Sequence, residues 1–121
     1  MAAEPPLTPH ARFLAIADRL RRLTAGSAEA DGYIHHALGR TGPVLAYTRA
    51  EAAALALLPP GFEADWPTTI AGETYAAVWR TGLLDGLPYP HYGQWGSTRA
   101  LALCGAVMRA HATLARPTSE G

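Results

Sequence analysis

The sequence predicts an α+β domain, a small antiparallel sheet of two or three strands packed with about four helices, the last of them long and buried. Three observations predict it. Residues 98–115 place Leu101, Cys104, Met108 and Ala112 at helical spacing, with Leu103, Val107, Ala110 and Leu114 beside them, so apolar side chains cover well over half the circumference. Three shorter segments before Pro59 read as helices with recognisable starts. Between these regions the apolar period falls to two residues, which is the repeat of a strand.

A chain of 121 residues reads as a single domain, with residues 1–7 as an extended lead-in and residues 116–121 as a flexible tail. Apolar residues make up 49% and charged residues 17%, which excludes wholesale disorder. The ten basic residues are all arginine and balance ten carboxylates, so phosphate neutralisation has little to work with and a nucleic-acid partner is not expected. Cys104 is the only cysteine. It can form no intrachain disulfide and no thiolate cluster, and its place in the apolar helix makes it a core residue. The first ten residues hold neither a basic run nor an apolar one, and no apolar stretch reaches about 18 residues, so a cytoplasmic protein without membrane contact is expected.

Each element has its own warrant. Thr8 is the N-cap and Pro9 the first residue of a helix whose stripe is Phe13, Ile16, Ala17, Leu20 and Leu23, with Asp18 one turn from Arg22 and Gly26 as the stop. Ser27 caps a second helix with Ala30, Ile34, Ala37 and Leu38 on one face, ended by Gly39. Thr48-Arg49-Ala50-Glu51 has the form of a capping box, which predicts a third helix from about Arg49 to Leu58 before Pro59-Pro60-Gly61. Phe62, Ala64 and Trp66 then alternate with Glu63 and Asp65, and after a turn at Ala71-Gly72 a second strand alternates Tyr75, Ala77 and Trp79 with Thr74, Ala76, Val78 and Arg80. Residues 83–95, rich in proline, glycine and aromatics, read as a long loop, with a short third strand near residues 91–95 as the one regular piece in it. Two strands alone are marginal, so the first and last helices are expected over the inner face of the sheet.

Three blocks carry a likeness to known proteins. They are Ala17-Asp18-Arg19-Leu20 with Asp31 to Ile34 and Ala37-Leu38-Gly39; Tyr47-Thr48 with Ala52 to Leu55 and Leu58-Pro59-Pro60-Gly61-Phe62; and Thr98 to Ala112. Together they resemble small proteins encoded in prophages of alphaproteobacteria, related to the phage ABA sandwich domain, with Arg99 standing where that pattern usually has proline. The resemblance implies a fold and an accessory role, and it carries no catalytic residue.

The candidate constellations are few. His35 and His36 are adjacent and diverge by about 100° on a helix, while Asp31 and His35 share a face, a pattern equally expected of a capping carboxylate on a solvated surface; no metal site is assigned. Glu63 and Asp65 read as the wet face of a sheet, His91 stands in the loop, and no nucleophile elbow or phosphate-cradling loop is present. Arg12, Arg19, Arg22, Arg109 and Arg116 would form a stripe if the first and last helices were neighbours. The best candidates for binding are Tyr89, His91, Tyr92 and Trp95, because tyrosine and tryptophan supply interface hot spots and loops carry function. The expected function is a cofactor-free accessory protein that binds another protein, with a homo-oligomer left open. The alternative is a small enzyme or small-ligand binder using a cleft beside residues 83–95, which would require His91 in a concavity with buried carboxylates. Joining Gly82 to Gly96 by a short linker is expected to spare the fold if the segment is a loop.

Overall fold

The computed structural model describes residues 8–65 and 67–115. The expected lead-in and tail, Trp66 and Arg116 lie outside the described residues. Helix α1 (Pro9–Arg22) starts where Thr8 Oγ1 accepts the Ala11 N–H at 3.2 Å, and α2 (Ala28–Ala37) where Ser27 Oγ accepts the Ala30 N–H at 3.0 Å. Helix α3 (Glu51–Leu55) is shorter than the capping box predicts. Its N-cap is Ala50, which has no side-chain acceptor, because the Thr48 hydroxyl is engaged 17 positions away with Asp31.

Six strands follow: β1 (Phe62–Ala64), β2 (Thr68–Ile70), β3 (Glu73–Arg80), β4 (Leu83–Leu84), β5 (Leu87–Pro88) and β6 (His91–Gly96), and then α4 (Arg99–Leu114). Strand β3 is central. Along one edge it pairs first β2 and then β1, antiparallel, with Thr68 opposite Tyr75 and Phe62 opposite Arg80; along the other it pairs β6, with Thr74 opposite Gly96 and Trp79 opposite His91. The break between β1 and β2 falls at Pro67, which has no N–H to give a ladder.

Residues 83–95 are therefore not a loop. Strands β4 and β5 form a two-stranded ribbon that prolongs the β3–β6 hairpin, closed by Asp85 at φ 52° and Gly86 at φ 82°. Two consecutive left-handed residues are what a two-residue hairpin turn needs, and Asp-Gly is a favoured pair for it. Pro88 is tolerated because the ribbon is narrow and exposed on both edges.

The core lies between the sheet and α1, and α4 runs through it. Ala76 and Val78 of β3 belong to the same buried cluster as Leu101, Leu103, Val107 and Met108 of α4 and Phe13, Ala17 and Leu20 of α1. Small residues let α4 approach closely on several sides: a β-carbon on Gly96 would come 2.7 Å from the Ala102 nitrogen. In consequence α4 lies on β3 and β6, while α1 packs chiefly on α4 and meets the sheet at β6, a more layered arrangement than two helices side by side on one face. Gln94 spans these layers, donating from Nε2 to the Ala17 carbonyl at 2.5 Å and accepting from Arg109 Nε at 2.7 Å. Leu101 is fully buried, so Leu101→Ala is expected to cost about 2 to 5 kcal/mol in a urea melt. A near-neutral result would show that α4 is not central.

Candidate functional site: the open face of the sheet

Alternation along β3 decides which side chains face the helices. Ala76 and Val78 point to α4, so Tyr75, Ala77 and Trp79 point the other way, and among the described residues no helix packs over them. The register brings β6 partners to the same face, with Trp95 opposite Tyr75, Gly93 opposite Ala77 and His91 opposite Trp79. The pairs touch. The Trp79 and His91 rings stack at 4.6 Å between centroids and 20° between planes, and Tyr75 meets Trp95 at 5.1 Å and 55°. Tyr75 also lies across Gly93, where a β-carbon would overlap its ring and hydroxyl.

The charge on this face has one sign. Glu63 is opposite Trp79, Asp65 is two residues further on and bonded through its N–H to the Ala77 carbonyl, and Glu73 is two residues before Tyr75. Arg80, the arginine of β3, falls on the opposite alternation and lies over the Tyr89 ring at 5.1 Å. Tyr75 remains 39% exposed and Ile70, on β2, 59% exposed. The result is an aromatic surface bordered by carboxylates, with Tyr75 and His91 exposed and Trp79 and Trp95 half-buried.

Of the four residues predicted to bind, the structure brings two together. His91 and Trp95 are on the open face, Tyr92 is on the inner face against the core, and Tyr89 is under Arg80 at the base of the ribbon. Two further residues, Tyr75 and Trp79, complete the surface. Their signal was the alternation itself, which shows that they share a face without showing which face α4 would cover.

The other constellations are structural. Asp31 and His35, expected on a solvated helix face, are buried. Asp31 Oδ1 accepts the Thr48 N–H at 2.7 Å and the Thr48 hydroxyl at 2.6 Å, and Oδ2 accepts Arg49 Nε at 2.9 Å. His35 Nδ1 lies 2.8 Å from the Tyr47 hydroxyl, and the Tyr47 carbonyl accepts from Cys104 Sγ at 2.9 Å. Residues 47–49 are thus latched to α2 and α4. Burial pushes the Cys104 thiol far above its ordinary range, with Asp31 adding to the shift, so Cys104 is held as a neutral donor. Burial likewise holds His111 below the ordinary histidine value, against the opposing effect of its bond from Nε2 to the Leu57 carbonyl at 2.7 Å. The conditional arginine stripe is interrupted, because Arg109 turns to Gln94 and leaves Arg12, Arg19 and Arg22 on α1. Arg99 pairs with Glu51 and also donates to the Pro67 carbonyl at 3.0 Å, tying the start of α4 to α3 and to the sheet edge.

Fold and face together define a small α+β protein whose aromatic sheet face is covered by no helix among the described residues. Compared with known protein families, characterised proteins and solved structures, the chain matches none. Among the described residues no helix is long and apolar enough to cross a membrane.

Proposed function

We propose that this protein is an interaction module that docks another protein on the open face of its sheet, through Tyr75, Trp79, His91 and Trp95. The observation that carries this reading is that four rings, paired across β3 and β6, stand on a face that α4 leaves uncovered. Contiguous exposed aromatic surface is where interface energy concentrates. Glu63, Asp65 and Glu73 border it, while Arg80 of β3 falls on the opposite alternation, so the fitting partner presents arginine or lysine to the rings and carboxylates. The likeness to prophage-encoded proteins supports an accessory role of that kind, exercised in the cytoplasm. Catalysis is the weaker reading, since His91 lies flat on Trp79 rather than in a concavity with buried carboxylates.

Photo-crosslinking tests the proposal. A benzophenone amino acid replaces Tyr75 on the open face or, in a control chain, exposed Ala52 on α3, and both are irradiated in the native host. Position 75 is expected to give a discrete adduct that the control lacks, and Trp79→Ala in the same chain should abolish it while the circular dichroism spectrum is unchanged. An adduct of twice the chain mass would make the partner a second copy. No adduct at position 75, or one indifferent to Trp79→Ala, would remove the sheet face from consideration. Gly93→Ala provides a graded version, because it displaces only the outer end of Tyr75 and should weaken binding at least tenfold with little loss of stability.

A further inference from the structure

A second surface, independent of the sheet, lies between α1 and α2. The two helices enclose a trough of about 800 Å³. Its floor is apolar: Ile16 and Leu20 from α1, with Leu23 at its C-cap, face Ala30 and Ala37 from α2. Its α1 rim carries Arg12, Arg19 and Arg22, all exposed.

Among the described residues none of these guanidinium groups is in an ion pair; the pairs are Arg49 with Asp31 and Arg99 with Glu51. Asp18, one turn from Arg22, is in none of these ion pairs; Arg22 Nε reaches the Asp18 backbone carbonyl instead, at 3.4 Å. Arg19 lies 5.4 Å above the Tyr33 ring, which is 52% exposed on the α2 side. Among the described residues Glu29 is the one carboxylate lining the trough. An apolar floor with a surplus of positive charge along its edge calls for an occupant that is apolar on one side and acidic along its flanks.

The spacing of the charges selects among such occupants. Arg12, Arg19 and Arg22 are seven and three residues apart, so they spread over roughly 15 Å of helix axis instead of converging on one end. A fatty acid or other single-headed amphiphile gathers its charge at one mouth of a site. Carboxylates recurring every three to four residues along a helix match a row of this kind. We propose that the α1–α2 trough receives an acidic amphipathic helix of a partner protein, its leucine and alanine stripe on the floor and its glutamates or aspartates against Arg12, Arg19 and Arg22.

The test uses the full chain and a library of helical peptides with a fixed leucine stripe and flanking positions varied among Glu, Gln and Lys. Glu-rich members should be selected, with affinity that falls as salt rises. Ala30→Trp, which fills the floor, should weaken them at least tenfold. Arg19→Glu with Arg22→Glu, on exposed positions that the core does not use, should do the same and transfer selection to Lys-rich members. Trp79→Ala should change nothing here, which separates this site from the sheet face. Selection of Gln- or Lys-rich peptides by the unaltered chain, or Glu-rich binding indifferent to both sets of variants, would overturn the proposal. So would oleate binding that Ala30→Trp abolishes in a chain that takes up no peptide.

Discussion

A chain in which a short Gly-Ser linker joins Gly82 directly to Gly96 is expected to lose its cooperative unfolding transition. Read as a loop, the deleted segment would be dispensable, since closing entropy changes slowly with length. It contains five of the six residues of β6, however, and with them the long outer partner of β3. Gln94 goes too, taking the bridge from the sheet to Ala17 and Arg109 and leaving the Ala17 carbonyl without that donor. What remains is β3 with two three-residue partners on one edge, too little sheet to hold α4. Removing only residues 83–88, exposed throughout, and rejoining the hairpin with a two-residue Asn-Gly turn should leave the transition intact and shift its midpoint little. Circular dichroism in a urea series distinguishes the outcomes, and a cooperative transition in the longer deletion would mean that β6 is not integral to the fold.

Asp31→Ala is expected to lower stability by about 2 to 5 kcal/mol. Arg49, its ion-pair partner, keeps about half of its side chain in water, so the loss of that charge pair is the smaller part. The larger part is the buried Thr48 N–H, which loses its acceptor at a cost of about 1 to 3 kcal/mol, together with the hydroxyl, which exchanges a short bond to Asp31 for the Ser27 carbonyl at 3.2 Å. Asp31→Asn keeps an acceptor for one of them and should lose roughly half as much. A double-mutant cycle with Thr48→Val, read from urea midpoints at constant slope, should show strong coupling between the two positions. Additive losses would mean that Thr48 acts independently of Asp31.

Helix starts were legible in the sequence because a cap is local: Thr8 and Ser27 each accept from a backbone N–H three residues on. Thr48 has the same local pattern and a different fate. A carboxylate on another helix outbids the neighbouring backbone, and nothing within four residues could reveal it. The burial of His35 is hidden for a related reason, since the face of α2 that looks wet in isolation is sealed by Tyr47. The pairing of β1 with β3 followed from alternation, but alternation is symmetric about the sheet. Only α4 breaks the tie, and it chooses the small residues Ala76 and Val78, leaving Tyr75 and Trp79 outside. The ribbon is different again, because its signal was present. Asp85-Gly86 between pairs of apolar residues is a hairpin turn in miniature, masked by Pro88 and Pro90.

The partnership of α1 with α4 also sets a schedule for synthesis. The apolar stripe of Phe13, Ala17 and Leu20 leaves the ribosome early and finds its main cover only when residues 99–114 have followed it. At about 5 to 20 residues per second the nascent chain carries that stripe unsheltered for roughly 5 to 20 s. No vectorial, helix-by-helix assembly can shorten the wait, because β3 and β6 also need α4 against their inner face. A nascent chain without α4 therefore leaves that stripe for a chaperone to bind.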